Sequence, residues 1–463
     1  MANVTETNRK PDAEFGNTEH DSVNTGSADV DSLNSQYHTA RSETISDAVA
    51  AIPAANSDFG EYDGVAGSVV LDAQPAEYEE SVTLDLSFNG IKFEGDGMGT
   101  RWAADGDDTL TINAQQSIFR DFYIGNKGSG SGVVVENESD TSQAVHDVWL
   151  QNLIFEGADM DRGLYLGGQG RHVAHGLYFR GGGLVMDCGE SYIEGRFHSH
   201  PSDAMDTHVR LVDEEGGNVK NNKLRINSLT TDDTTSITAL RVEDGTQAVN
   251  NEIHLQLGSP GDADHTGMII EGGAEVDRGQ INITAAHTPG DGADDTLVVE
   301  SGANLRTCLI NVISNGADRA VFLGDGTGQN NMRVRAEGVG SKGVYINSSR
   351  NSLYGHVTSS DDGAVNIEID DFSSGNVCKA FSRNTGSGTA LLIAGTANRT
   401  VAYGHYRTSG GTALELGGDE SVVVGRFEGE INISGSDNYV AGVHDGTLND
   451  TGTNNDTSNL LSL

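Results

Sequence analysis

The chain has little of what usually punctuates a globular fold. Its 463 residues include six prolines and three cysteines. Cys188, Cys308 and Cys378 are an odd number without short spacings, which builds neither a disulfide framework nor a zinc site. No apolar run reaches the ~18 residues of a transmembrane helix, so no membrane insertion is expected. The first residues lack a basic stretch followed by an apolar one, so no secretory or twin-arginine signal is read there. Positive charge is also scarce. There are 28 Lys+Arg, seven of them Lys, against 69 Asp+Glu, a formal net charge of −41. An ordinary small domain carries a net charge of ~2–8. Self-repulsion on this scale is quenched at molar salt, where the Debye length is about 3 Å. The composition therefore reads as adaptation to high salt, and it disfavours nucleic acid as a partner.

What is abundant is glycine, 61 residues, and a short repeat. Apolar triplets begin at Val82, Leu110, Val133, Leu164, Leu184, Val209, Leu240, Met268, Leu297, Val321, Val344, Val365, Leu391 and Leu414. In each triplet the two outer residues are apolar, and residues i and i+2 share one face of a strand. A second short strand follows about ten residues later, as at Ile91-Lys92-Phe93, Leu224-Arg225-Ile226, Ile281-Asn282-Ile283 and Val422-Val423-Val424. An Asn often precedes it: Asn222, Asn251, Asn331, Asn351, Asn376, Asn398, Asn438. Asn tolerates the left-handed bend, and stacked Asn side chains form hydrogen-bonded ladders.

Two strands, a tight corner and a variable loop per repeat describe a solenoid in which each coil is buried by its neighbours. The hairpin turns that a sandwich or propeller needs are missing at regular spacing. The expected fold is all-β, a right-handed single-stranded parallel β-helix with an N-terminal capping helix. Residues 1–36 read as a flexible acidic attachment segment, 37–66 as the capping helix and lead-in, 67–443 as the β-helix and 444–463 as a polar C-terminal tail. The helix is placed by Ile45, Ala48, Val49 and Ile52 on one face, with Pro53 as its stop.

The order Asp47-Ala48-Val49, Gly67-Ser68-Val69-Val70-Leu71, Tyr78 to Leu84 and Ile91 to Thr100 resembles the opening of the pectate-lyase-like β-helix superfamily, over about Ser42 to Phe122. It also resembles phage tailspikes. The acidic leader is similar in style to spike proteins of haloarchaeal tailed viruses. The resemblance implies a receptor-binding spike on the virion surface, outside the cell. It would be joined to other virion proteins through residues 1–36 and would contact a host surface glycan or glycoprotein. The alternative it implies is a polysaccharide lyase or glycoside hydrolase.

Catalysis of that kind needs paired carboxylates or a base, often with calcium. Asp159 and Asp161 beside Arg162 are the candidate catalytic group. Asp203, Asp206, Asp232, Asp233, Asp262 and Asp264 are candidate ligand-binding acids in loops that would stack as an acidic wall, joined by Asp291, Asp294 and Asp295. Calcium is the cation such a wall would take. His198, His200, His265 and His287 accompany these loops; His198, His200 and His208 match no metal motif, so exposed histidines and no metal site are expected there. The polygalacturonase signatures Asn-Thr-Asp and Gly-His-Gly do not occur. Gly355-His356-Val357 and Gly404-His405-Tyr406 are partial likenesses. Gly95-Asp-Gly-Met-Gly99 lacks the Lys-Ser/Thr of a phosphate loop and reads as a turn.

The middle residue of each triplet should face outward. Thr83, Thr111, Arg210, Arg241, Asn366 and Glu415 are polar, whereas Val134, Tyr165, Val185, Ile269, Val298, Phe322, Tyr345 and Leu392 are apolar. An apolar strip on so acidic a surface asks for cover, and a side-by-side homotrimer would supply it.

Overall fold

The computed structural model of the chain describes residues 35–38, 44–52, 67–71, 77–137, 145–157, 159–199, 205–214, 219–230, 236–259, 263–287, 294–370 and 373–463. The described residues fall into two compact units, one running to His198 and the other holding Ser199 and the chain from Met205.

Every strand pairing within each unit is parallel, and each strand pairs with its counterpart one coil away. Both units are parallel β-helices. In the first, the triplets stack in register, Val82 on Leu110 on Val133 on Leu164 on Leu184. In the second, Val209 stacks on Leu240, Met268, Leu297, Val321 and Val344. The outer triplet residues are buried, as the alternation requires. The first unit adds stacked aromatic rings to its core, with Phe179 at 4.4 Å from Phe155 and 4.3 Å from Phe197.

The helix is short, Ile45–Ala51, and its buried residues include Ile45, Ala48 and Val49. Thr44 caps it, accepting from the Asp47 N–H at 3.0 Å. Glu80, from the first complete coil, accepts from Ser46 N–H at 3.0 Å and also from Ile45 N–H. A carboxylate at the positive helix end ties the cap to the coil beneath it. Ser35–His38 pairs with the strand Gly67–Leu71 from Gly67 to Val70, so the strands begin two residues inside the expected leader. Residues 1–34 lie outside the described part.

Several expectations are corrected. The stretch from His444 is not a tail, because Leu448 pairs with Ile431 and Leu460 with Gly442, forming further coil. Its polar Asn and Thr residues fooled the reading, since a terminal coil needs few apolar side chains. The triplet at Val365 is displaced by two residues. Ile367, Glu368 and Ile369 occupy the stacked positions, and Asn366 turns inward. The left-handed residues at the corner are those before the ladder, such as Asn221, Asn250, Gln329 and Arg350, with φ of 57°, 55°, 60° and 62°. The ladder itself is buried Asn222, Asn251, Asn330, Asn351, Asn376 and Asn438. Asn330 replaces the exposed Asn331, and Asn398 is exposed too. Asn351 Oδ1 accepts from Asn330 Nδ2 at 3.1 Å, and Asn376 Oδ1 accepts from Asn351 N–H at 2.8 Å.

The outward strip is not bare. Val134, Tyr165 and Val185 are buried within the first unit. Cationic side chains cover other members, with Arg162 4.9 Å over Tyr165, Arg319 4.9 Å over Phe322 and Lys342 4.4 Å over Tyr345.

Candidate functional site

In the first unit, Asp159 and Asp161 are exposed and stand before the strand Arg162–Leu166. The Asp161 carboxylate lies 3.2 Å from Arg162 Nε, and the Arg162 guanidinium rests on Tyr165. In the second unit, Asp206 and Asp264 are exposed. Asp203, Asp232, Asp233, Asp262, Asp291 and His200 lie outside the described residues. Among the described residues no group of three or more His, Cys, Asp or Glu is arranged to hold a metal ion.

His208, expected to be exposed, is internal, which corrects that reading. His208 is buried between two hydroxyls, with Ser199 Oγ 2.7 Å from Nε2 and Ser228 Oγ 2.7 Å from Nδ1. His265 and His287 are buried as well. Asp294 Oδ2 lies 3.4 Å from His287 Nδ1, His287 Nε2 lies 3.2 Å from Thr296 Oγ1, and Thr296 lies 2.7 Å from Ser314 Oγ. The order Asp, His, hydroxyl imitates a charge relay. The Thr296 and Ser314 hydroxyls are inside the coil, however, so no substrate atom can meet them. Asp295 is spent in a two-point pair with Arg319 and does not face solvent as expected. The same corner is polar again at Asn366, held by Ser359 at 2.6 Å and Ser382 at 3.0 Å. These knots satisfy buried polar groups.

The concentrated surface chemistry lies elsewhere in the second unit, on the outer face of five stacked strands. These are Asn331–Val339, Ser352–Ser359, Val377–Asn384, the first half of Val401–Leu416 and the first half of Val422–Ile433. Period-two alternation sends Leu353, Cys378, Ala402 and Val423 inward, and their neighbours out. Register aligns the outward residues into rows. One row is Arg333, Tyr354, Lys379 and Tyr403. The next is Arg335, His356, Phe381, His405 and Arg426. A third includes Thr358, Arg383, Arg407 and Glu428. This face carries six Lys or Arg and two Glu, the reverse of the chain as a whole.

Tyr354 is 47% and Tyr403 42% exposed, unusually open for rings of that size. Lys379 Nζ stands 5.4 Å from the Tyr354 ring. The His356 and Phe381 rings lie tilted to each other at 4.9 Å, and His405 meets Phe381 edge-on at 5.4 Å. Glu428 gathers two cations and a histidine: Arg407 Nε at 3.0 Å, Arg426 Nε at 2.7 Å and His405 Nε2 at 3.0 Å. Partial burial pushes the Glu428 carboxyl up. The His405 hydrogen bond and the charges of Arg426 and Arg407 outweigh it and hold the carboxyl below its ordinary value. Arg333, Lys379 and Arg383 make no ion pair among the described residues. The face is thus a platform of open rings and uncommitted cations, about 4.8 Å apart from rung to rung. Reasoning from acidic loops and triplets overlooked it. The signal was the alternate residues of the second strands, such as Lys379, Phe381 and Arg383, or Tyr403, His405 and Arg407. The two partial Gly-His likenesses place His356 and His405 on this platform.

No protein family and no curated protein matches the chain. Among solved structures, the mannuronan C-5 epimerase AlgE4 A-module of Azotobacter vinelandii is similar over 86% of this chain and 90% of that one, at 9% identity and a TM-score of 0.17. A likeness so slight carries no residue, reaction or substrate to this chain.

Proposed function

We propose that the protein is a recognition β-helix that binds an anionic surface glycan on the Tyr354–Lys379–Tyr403 platform. The observation that carries the reading is the local reversal of charge: in a chain of net −41, cations and open aromatic rings gather on one sheet face. Sugar rings stack on aromatic faces, and guanidinium groups pair with carboxylate or sulfate in two-point contacts. At molar salt, long-range attraction is screened, so such short-range contacts must supply the affinity. The likeness of the first coils to tailspikes and the acidic leader support placing the protein on the surface of a virus of halophilic hosts, attached through residues 1–36. Calcium and a trimeric assembly belong to the same proposal.

The test is binding in molar KCl to immobilised polyuronate, sulfated polysaccharide and neutral dextran. The two acidic polymers should bind and dextran should not. Tyr403→Ala and Lys379→Ala should each weaken binding about tenfold, the effect of losing ~1.4 kcal/mol of an exposed anchor. Equal binding to dextran, or unaltered binding by both variants, overturns the reading. Release of sugar fragments, abolished by Asp159→Asn or Asp161→Asn, would favour the lyase or hydrolase alternative instead.

A further inference from the structure

A second feature lies at a corner of the second unit, away from the platform rows. The outward residue just before the left-handed corner position stacks from coil to coil as Lys220, Val249, Asp277 and Arg306. Its next members are Gly328 and Ser349, bridged in the same register, and then Ser374, whose N–H donates to Ser349 Oγ at 3.0 Å. The column thus shrinks to glycine and serine over three successive coils. This leaves a notch of about 260 Å³. Arg306, Gln329 and Arg350 are among the residues that line it, the last two from the adjacent left-handed positions. Its described lining holds two guanidinium groups, hydroxyls and a carboxamide, and no carboxylate. Arg306 Nη2 is already paired with Glu275 at 2.6 Å, whereas Arg350 makes no ion pair among the described residues.

We infer that this notch binds a single oxyanion carried on a sugar, either a carboxylate or a sulfate ester. The physical case is an unpaired guanidinium among hydroxyls. The Arg350 fork, which makes no ion pair among the described residues, matches two oxygens of such a group; Ser349, Ser374 and Gln329 line the same space, and Arg306, paired with Glu275, borders it. A lysine would offer only a point charge, which molar salt screens, whereas a two-point hydrogen-bonded fork keeps its geometry there. In a chain where acids outnumber bases 69 to 28, a notch whose lining includes two arginines and no acid is a local inversion of composition. The small residues at 328, 349 and 374 are what make room for a ligand ring. The inference does not rest on the platform reading. It extends it, because Arg350 lies four residues before Tyr354, roughly 13 Å along an extended strand. A polymer on the platform could reach the notch with one acidic substituent.

The experiment is saturation-transfer NMR on the full chain in molar KCl, with glucuronate, glucose 6-sulfate and methyl glucoside as probes. At least one of the two acidic probes should give a signal, and which one does identifies the oxyanion. Methyl glucoside should give none. Arg350→Ala should weaken the binding at least tenfold. Ser374→Phe, which fills the notch while leaving Arg350 in place, should do the same, and both variants should keep the wild-type melting curve. No signal from either acidic probe, an equal signal from methyl glucoside, or wild-type affinity in both variants overturns the inference. None of these outcomes touches the binding of long acidic polymers by the platform.

Discussion

At the scale of single residues, burial decides what an ionisable group does. His172 shows this in the first unit. Its Nε2 donates to the Gly167 carbonyl at 3.0 Å, and its Nδ1 accepts from Val148 N–H at 3.3 Å. Both nitrogens are satisfied only in the neutral ring. Burial disfavours the charged form and outweighs the Gly167 hydrogen bond, so the pKa falls from 6.5 to about 4. Because the folded pKa lies below the unfolded one, this contribution to stability is complete above pH 6.5. It is lost as the pH falls toward 4. Its size is about 3 kcal/mol at most. Denaturant titrations of wild type and His172→Gln between pH 7 and 4 should show a steeper acid loss in the wild type. Parallel pH profiles would refute the assignment. The same burial pushes the Cys188 and Cys378 thiols up to about 12, which makes them packing groups rather than nucleophiles.

At the scale of elements, the corner ladder does what turn residues alone cannot. Asn351 is 1% exposed, accepts from the Asn330 N–H and side chain, and donates to Ser348 Oγ at 2.8 Å. Replacing it with Leu strands the buried Asn330 donors on the neighbouring coil, removes the donor to Ser348 Oγ on its own coil, and should cost about 2–4 kcal/mol. Asn331 is exposed at the start of its strand, and Asn331→Leu should cost under about 0.5 kcal/mol. Chemical denaturation of the two variants measures the contrast, and equal losses would count against the ladder. The difference between adjacent asparagines was not legible in the sequence. Only the stacking of coils shows which residue turns inward.

At the scale of the whole molecule, the fold separates its apolar core from its charge. Triplet side chains fill the coils, while carboxylates face solvent or pair locally, as Glu243 does with Arg210 and Glu271 with Arg241 at 3.3 Å. Exposed pairs of this kind contribute at most about 1 kcal/mol each, so they do not offset a net charge of −41. Screening must. Lowering KCl from about 1 M to about 0.01 M lengthens the Debye length from about 3 to about 30 Å. The melting temperature should fall by roughly 10 °C or more, corresponding to a loss of a few kcal/mol. A melting temperature independent of KCl would remove the argument for high-salt adaptation.

Fold class, helix cap and charge were determined by the sequence alone, because each is written in local periodicity and composition. Val82 and Leu84 must share a face whatever their neighbours are, and Thr44 can cap its own helix. Tertiary structure alone decided which residues of different coils meet. Tyr354, Lys379 and Tyr403 are 24 or 25 residues apart in sequence and adjacent only through parallel register. Loops of unequal length between coils hide that register from any fixed period, which is why the triplet at Val365 was misplaced. The platform, the notch and the buried His287 knot all depend on it.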